Sequence, residues 1–257
     1  MTDSLAAIGA VFLAFLAAVG RLTRFALQAL AAVFSPPYFL GLVLRQVLYI
    51  GYYSLPVVGL TALFTGMVLA LQSYTGFSRF NAQSAVATVV VLSMTRELGP
   101  VIASLMVAGR VGAAMAAEIG TMRVTEQIDA LTTLSTDPLR YLVLPRLIAG
   151  LVTLPALVLV ADIIGVFGGF LVGTYKLDFN PQAYLTQTEQ YLETMDVVSG
   201  LVKAAVFGFL VALMGCYHGY QSRGGAEGVG QATTYAVVSA SILILIFNYA
   251  LTQAFFS

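Results

Sequence analysis

Charge is scarce in this chain: Asp, Glu, Lys and Arg make up 9% of 257 residues, against roughly a quarter in soluble domains. With 59% of residues hydrophobic, a water-soluble fold could not hide its apolar surface. The formal net charge is zero and the basic residues are scattered, so no phosphate-tracking stripe exists and nucleic acid is excluded as a partner. One cysteine, Cys216, forms no internal disulfide, and with only His218 beside it there is no ligand set for a metal. Both read as structural. H-E-x-x-H and G-x-S-x-G are absent, and a single histidine does not build a typical catalytic constellation. The only lysines are Lys176 and Lys203, neither within a G-x-x-x-x-G-K-[ST] loop, so any ATP must be hydrolysed by another chain and this one binds no cofactor. The glycine-rich 224–230 stretch follows no strand and reads as a tight turn rather than a dinucleotide site.

What is present is a series of apolar runs of about twenty residues or more, enough to cross a hydrocarbon core of about 30 Å as helix. Lipid is the solvent. The expected fold is all-α, a single membrane domain over 1–257 with five transmembrane helices at 52–74, 85–111, 147–175, 197–220 and 232–256. Interfacial helices precede them within 1–50. The start Met1-Thr2-Asp3-Ser4 lacks the positive n-region of a secretory signal. In the first segment Leu5, Ile8, Phe12, Phe15, Leu16, Val19 and Leu22 fall at helical spacing, which predicts a helix lying in the interface. Ser35-Pro36-Pro37 breaks it, and a second short interfacial segment is expected at 38–50.

Short cytoplasmic loops are enriched in arginine and lysine. With five spans, Arg21, Arg24, Arg45, Arg110, Arg123, Arg140, Arg146 and Arg223 share one side, and only Arg79 and Lys176 take the other. The N-terminus is therefore expected in the cytoplasm and the C-terminus outside.

Small residues recur four apart, as in Ala108, Gly112, Ala116 and Gly120; in Gly165, Gly169 and Gly173; in Gly200, Ala204, Gly208, Ala212 and Cys216; and in Ala232, Ala236 and Ala240. Such stripes let helices approach closely where no hydrophobic effect drives them together. Asp137-Pro138 and Asn180-Pro181 are helix-start pairs, a capping side chain before proline at the first helical position. The second predicts a short helix in the 176–196 loop, a connector or a docking surface.

Charges inside spans are costly and mark candidate functional positions. Arg96 and Glu97 lie about eleven residues into the second span. Neighbours in a helix point to different sides, so one of them should face a polar cavity or a partner helix. Two readings stand, a cavity holding water or a headgroup and an ion-pair network at a dimer interface. Asp162 and Lys203, both placed in the outer half of the membrane, form a candidate intramembrane pair. Between spans two and three, Val124, Ile128 and Leu131 make one apolar face, with Arg123, Glu126, Gln127 and Asp129 mostly off it, and predict one amphipathic cytoplasmic helix over 118–131. It either rests on headgroups or couples to a cytoplasmic partner.

The stretch Met94-Thr95-Arg96-Glu97-Leu98-Gly99-Pro100, then Ala108-Gly109-Arg110-Val111-Gly112-Ala113, then the run from Ala117 to Leu131, resembles the signature of the MlaE family of ABC permeases. Asp137-Pro138, Pro145-Arg146, Glu227-Gly228-Val229-Gly230 and Ala232-Thr233 continue the likeness from about residue 40 onward, whereas the first 35 residues match only in character. The resemblance implies a homodimeric permease with two cytoplasmic ATPase subunits, exchanging phospholipid with a periplasmic ring of MCE-domain proteins and maintaining outer-membrane lipid asymmetry. It implies that Glu118, Arg123, Glu126 and Asp129 belong to the segment that couples to the ATPase. Two other classes stay open. An ion-coupled secondary transporter could use Glu97, Asp162 and Lys203 as relay groups, although no inverted repeat is visible. A structural membrane scaffold would need none of these charges.

Overall fold

The computed structural model describes residues 2–32, 39–80 and 82–256, and among them every regular element is a helix. In hydrocarbon a backbone must satisfy its own hydrogen bonds, which a helix does within one segment. In chain order these are α1 (Thr2–Ala31), α2 (Leu40–Ile50), α3 (Leu55–Phe77), α4 (Val86–Ser93), α5 (Gly99–Val107), α6 (Ala113–Val124), α7 (Gln127–Thr133), α8 (Leu144–Tyr175), α9 (Pro181–Tyr191), α10 (Thr194–Tyr220) and α11 (Gly225–Phe256). Two π-helical turns, Met94–Leu98 and Ala108–Gly112, join α4, α5 and α6 into one rod, and a third, Leu139–Val143, leads into α8.

Among the described residues six rods have the length and apolar character of a membrane span, one more than expected: Phe12–Ala31, Leu40–Phe77, Val86–Val124, Leu139–Tyr175, Thr194–Tyr220 and Gly225–Phe256. The last five cover the five expected spans, except Ala85 at the start of the second, and extend each of them. The sixth falls in the N-terminal segment expected to lie in the interface. The expected break at Ser35-Pro36-Pro37 lies outside the described residues.

Two boundaries take a different form. The described part of the segment expected as a second interfacial element at 38–50 is α2, which a 3-10 turn, Tyr52–Ser54, carries into α3 within the Leu40–Phe77 rod. Gly51 makes that junction, and a Cβ there would sit 2.8 Å from Thr153 Cγ2 of α8, so only glycine fits. The single amphipathic helix expected over 118–131 is two helices meeting at a corner. The α6 helix ends at Val124, Glu126 takes a left-handed conformation with φ 59°, and α7 starts at Gln127. Thr125 Oγ1 turns back to the Thr121 carbonyl at 2.8 Å, and Arg123 reaches across the corner to Asp129 at 2.7 Å. Side-chain periodicity is nearly continuous through such a corner, so it left no mark in the pattern.

The long α8 helix is central. It packs against α3 on one side and α10 on another, and α10 in turn packs against α6 and α11. The small-residue stripes lie at these contacts. Gly165 meets the backbone of α3 at Gly66, and Gly208 of α10 meets Gly150 of α8 backbone to backbone. On α11 the inward line is Ala232, Ala236, Ala240 and Ile244, while Tyr235, Val238, Ile242, Leu245 and Tyr249 face away from the chain. Both proposed helix starts form. Asp137 accepts from the Leu139 N–H at 3.0 Å, and Asn180 accepts from the N–H groups of Gln182 and Ala183 at 2.9 and 3.3 Å.

Candidate functional site

The π turn at Met94–Leu98 holds the two charged neighbours singled out in the sequence. Its widened ring closes from the Gly99 N–H to the Met94 carbonyl, and such turns recur at functional sites because they re-aim side chains and free backbone carbonyls. One freed carbonyl is used directly, since Lys203 Nζ donates to the Arg96 oxygen at 2.8 Å.

Arg96 and Glu97 diverge into two linked groups. Arg96 Nε donates to Asp196 Oδ1 at 2.6 Å, and its guanidinium lies over the Phe256 ring at 4.4 Å from the centroid. Asp196 also caps α10, accepting from the Glu193 N–H through its other oxygen at 3.1 Å. Glu97 receives Lys203 Nζ and Thr252 Oγ1 on one oxygen and Asn248 Nδ2 on the other, each at 2.7 Å. Lys203 is fully buried, and its three protons meet the Arg96 carbonyl, Glu97 and Thr252 Oγ1. Thr252 has one proton for two acceptors, Glu97 and the Asn248 carbonyl. With Oγ1 accepting from Lys203, donation to the carboxylate gives the stronger, charge-assisted bond. Arg96 and Glu97 stay about one-third exposed, at 34% and 37%, so the cluster has a closed side built on Lys203 and an open side.

The expected Asp162–Lys203 pair does not form. Lys203 is committed to Glu97, and Asp162, buried on α8, packs against Gly99 with its Oδ1 lacking a hydrogen-bond partner. Equal depth in two spans suggests the pairing, but each side chain meets a different part of the same turn, Lys203 at Arg96 and Glu97 and Asp162 at Gly99. Sequence reasoning missed Asp196 and Thr252, which lie close to a span end, where polar side chains are ordinary, and Asn248, a single uncharged amide about two turns inside the last span.

At the other end of the bundle, the residues expected to couple to a partner are tied into the chain. Glu118 Oε2 meets the buried Arg146 at 2.8 Å, and Arg146 also donates to the Leu142 carbonyl at 2.6 Å. Arg123 pairs with Asp129 and lies 5.8 Å from the Tyr220 ring centroid. Glu126 stands exposed at the corner. Arg110, in the second π turn, donates to Ser54 at 2.9 Å and faces Tyr49 and Tyr53. Cys216 is buried, and His218 Nε2 lies 3.0 Å from Ser239 Oγ. Among the described residues no group of three His, Cys, Asp or Glu side chains could hold a metal.

Comparison with known proteins places this architecture. The family described as "Permease MlaE" matches residues 43–254. A "Probable ABC transporter permease protein" of Rickettsia felis is 63% identical over 249 residues, covering 97% of this chain and 96% of its own. The "Intermembrane phospholipid transport system permease protein MlaE" of Haemophilus influenzae is 35% identical over 257 residues, 100% of this chain and 98% of its own. "Protein TRIGALACTOSYLDIACYLGLYCEROL 1, chloroplastic" of Arabidopsis thaliana is 38% identical over 213 residues, 83% of this chain and 61% of its own.

Proposed function

Because the chain belongs to the MlaE permease family, we propose that it is the membrane-spanning subunit of an ABC transporter that moves phospholipid between the bacterial inner membrane and a periplasmic ring of MCE-domain proteins. In this reading two copies of the chain assemble with two cytoplasmic ATPase subunits, and the transfer maintains outer-membrane lipid asymmetry. The observation that carries it is the half-open Arg96–Glu97–Lys203 cluster beside the outward apolar face of α11. A phospholipid has the matching division, a charged head and two apolar tails. An exposed apolar face of that extent calls for lipid or a second copy as its cover.

The corner between α6 and α7 suits the coupling role. It places the exposed Glu126 at a tip while the Arg123–Asp129 and Glu118–Arg146 pairs hold its two arms. With the arginine-rich end in the cytoplasm, the α6–α7 corner faces the ATPase and the C-terminus is periplasmic. The α7 end then belongs to the cytoplasmic leaflet and the α9 end to the periplasmic side.

The test is transfer of a fluorescent phospholipid by the complete complex in proteoliposomes. ATP-dependent transfer that falls at least tenfold in Arg96→Gln and Glu97→Gln, with complex assembly intact, is expected. Transfer sustained by an ion gradient without ATP would overturn it in favour of a secondary transporter.

A further inference from the structure

A second polar and apolar cavity lies at the opposite end from the Arg96 cluster. It has a volume of about 760 Å³, within the range of small-ligand sites, and opens between α2, α6, the π turn at Leu139–Val143 and the start of α8. Its polar groups are Arg45, Gln46, Glu118 and Arg146; its apolar wall includes Leu42 and Leu48, with Tyr49, Tyr53 and Tyr141 on the rim.

The charge balance of this cavity is one-sided. Glu118 is neutralised by Arg146, which is only 4% exposed and is held besides by the Leu142 carbonyl. Arg45 is exposed on α2 and has no ion-pair partner among the described residues. The sum is one uncompensated positive charge above a fixed ion pair. Two buried polar atoms of the lining, Gln46 Oε1 and Arg146 Nε, lack hydrogen-bond partners. One can accept and the other can donate, so the cavity suits an anion that also bears hydrogen-bond donors.

Depth identifies the source of that anion. Tyrosine and arginine together mark the headgroup level of a bilayer, and here the exposed Arg45, Tyr49 and Tyr53 line one cavity with Tyr141, while Leu42 and Leu48 continue the wall. Basic pockets between transmembrane helices on the cytoplasmic side are suited to lipid headgroups. We propose that this cavity is a binding site for an anionic phospholipid of the α7-end leaflet, with the phosphate on Arg45, hydroxyl donors of a glycerol-type head near Gln46, and an acyl chain along Leu42 and Leu48. That leaflet is the cytoplasmic one if the orientation proposed above holds. The site is separate from the Arg96 cluster and does not depend on what that cluster carries.

The assembled complex in detergent is photolabelled with a photoreactive phosphatidylglycerol, and adducts are mapped by peptide mass spectrometry. Adducts within 42–53 or 114–122, competed by unlabelled short-chain phosphatidylglycerol but not by phosphatidylcholine, are expected. Arg45→Gln removes a charge-assisted contact without unpairing another residue and should weaken competition about tenfold. Ala114→Phe, which fills part of the cavity from α6, should abolish it while Arg45 stays in place. Equal labelling in wild type and both variants, or adducts confined to α10 and α11, would overturn the site. Competition by inorganic phosphate as strong as by the lipid would reassign it to a soluble anion. Labelling of the isolated permease that disappears in the full complex would make it the ATPase contact instead.

Discussion

Lys203 on α10 and Glu97 in the π turn after α4, 106 positions apart, are joined at 2.7 Å, with the lysine fully buried and the carboxylate partly open. Their unequal burial makes their removal unequal. Glu97→Leu leaves a dry ammonium with only a carbonyl and a hydroxyl, which for a buried charge should cost about 3–5 kcal/mol. Lys203→Met leaves a carboxylate still held by Asn248 and Thr252 and in reach of solvent, and the cost should be clearly smaller. Thermal unfolding of both variants in detergent checks the order; equal losses would mean that the open side of the cluster is closed in the assembled protein.

Asp162 and Gly99 form the second contact that a short mutant series can read. The carboxyl lies where a Cβ on Gly99 would have to be, and its Oδ1 has no hydrogen-bond partner. Gly99→Ala should therefore lower the melting temperature sharply, and adding Asp162→Ala should recover part of the loss by making room. Asp162→Leu alone should be neutral or stabilising, since an apolar side chain removes a buried group that nothing satisfies. A double-mutant cycle with no coupling between the two positions would refute the contact.

Glu126 separates stability from coupling. A left-handed residue with a Cβ is disfavoured by roughly 1–2 kcal/mol, so Glu126→Gly should stabilise the isolated permease by up to about 1 kcal/mol. The same change removes the exposed charge proposed to meet the ATPase, so less ATPase should co-purify. Glu118→Lys should do both kinds of harm, because it also faces Arg146 with a like charge. Recovery of the ATPase at wild-type levels from all of Glu118→Lys, Arg123→Glu, Glu126→Lys and Asp129→Lys would remove the coupling assignment.

Tyr184, on α9 outside the spans, gives a pH-dependent reading. Burial against Gly169 and Gly173 pushes its hydroxyl from 10.0 up to about 12. A raised folded value means that its contribution is intact below pH 10 and is lost as pH climbs toward 12. Tyr184→Phe should flatten the alkaline fall of the melting temperature between pH 10 and 12 while costing little at neutral pH, since the hydroxyl has no hydrogen-bond partner. An unchanged alkaline limb would show that other groups set it.

The features legible in the sequence were those written locally. Asn180 and Asp137 announced their helices because a cap acts within three residues, and the glycine and alanine stripes announced close contacts because spacing alone defines a helix face. The family resemblance from residue 40 onward agrees with the match over 43–254. Helix order in space was not written locally. Depth alone makes Asp162 a candidate partner for Lys203, whereas the contact with Glu97 depends on which rods are neighbours. The π turns were equally silent, because shifting a hydrogen bond from four residues to five changes no composition; only the arginines at 96, 110 and 140, each within such a turn, mark them in retrospect.

The N-terminal helix poses the remaining choice, since Phe12–Ala31 is 20 residues long and apolar enough to span, while the amphipathic spacing of its first half favours lying flat. Its contacts favour the flat arrangement. Among the α1 residues whose side chains are described, the buried ones are Phe25 and Ala29, both in its C-terminal third, and Phe25 packs on Tyr217 and Tyr220 at 5.6 and 5.9 Å, the last turn of α10 at the arginine-rich end. A helix crossing beside α10 would bury residues along its whole length, yet Phe12, Leu13, Leu16 and Val19 face away from the chain. Arg21 and Arg24 would then lie among anionic headgroups, each contributing about 1 kcal/mol of attraction. A protease-sensitive tag before Met1 should therefore be protected in intact spheroplasts and cut after lysis, and Phe25→Ala should loosen α1 without releasing the protein from the membrane. Cleavage of the tag in intact spheroplasts would place Met1 outside and make α1 a sixth span.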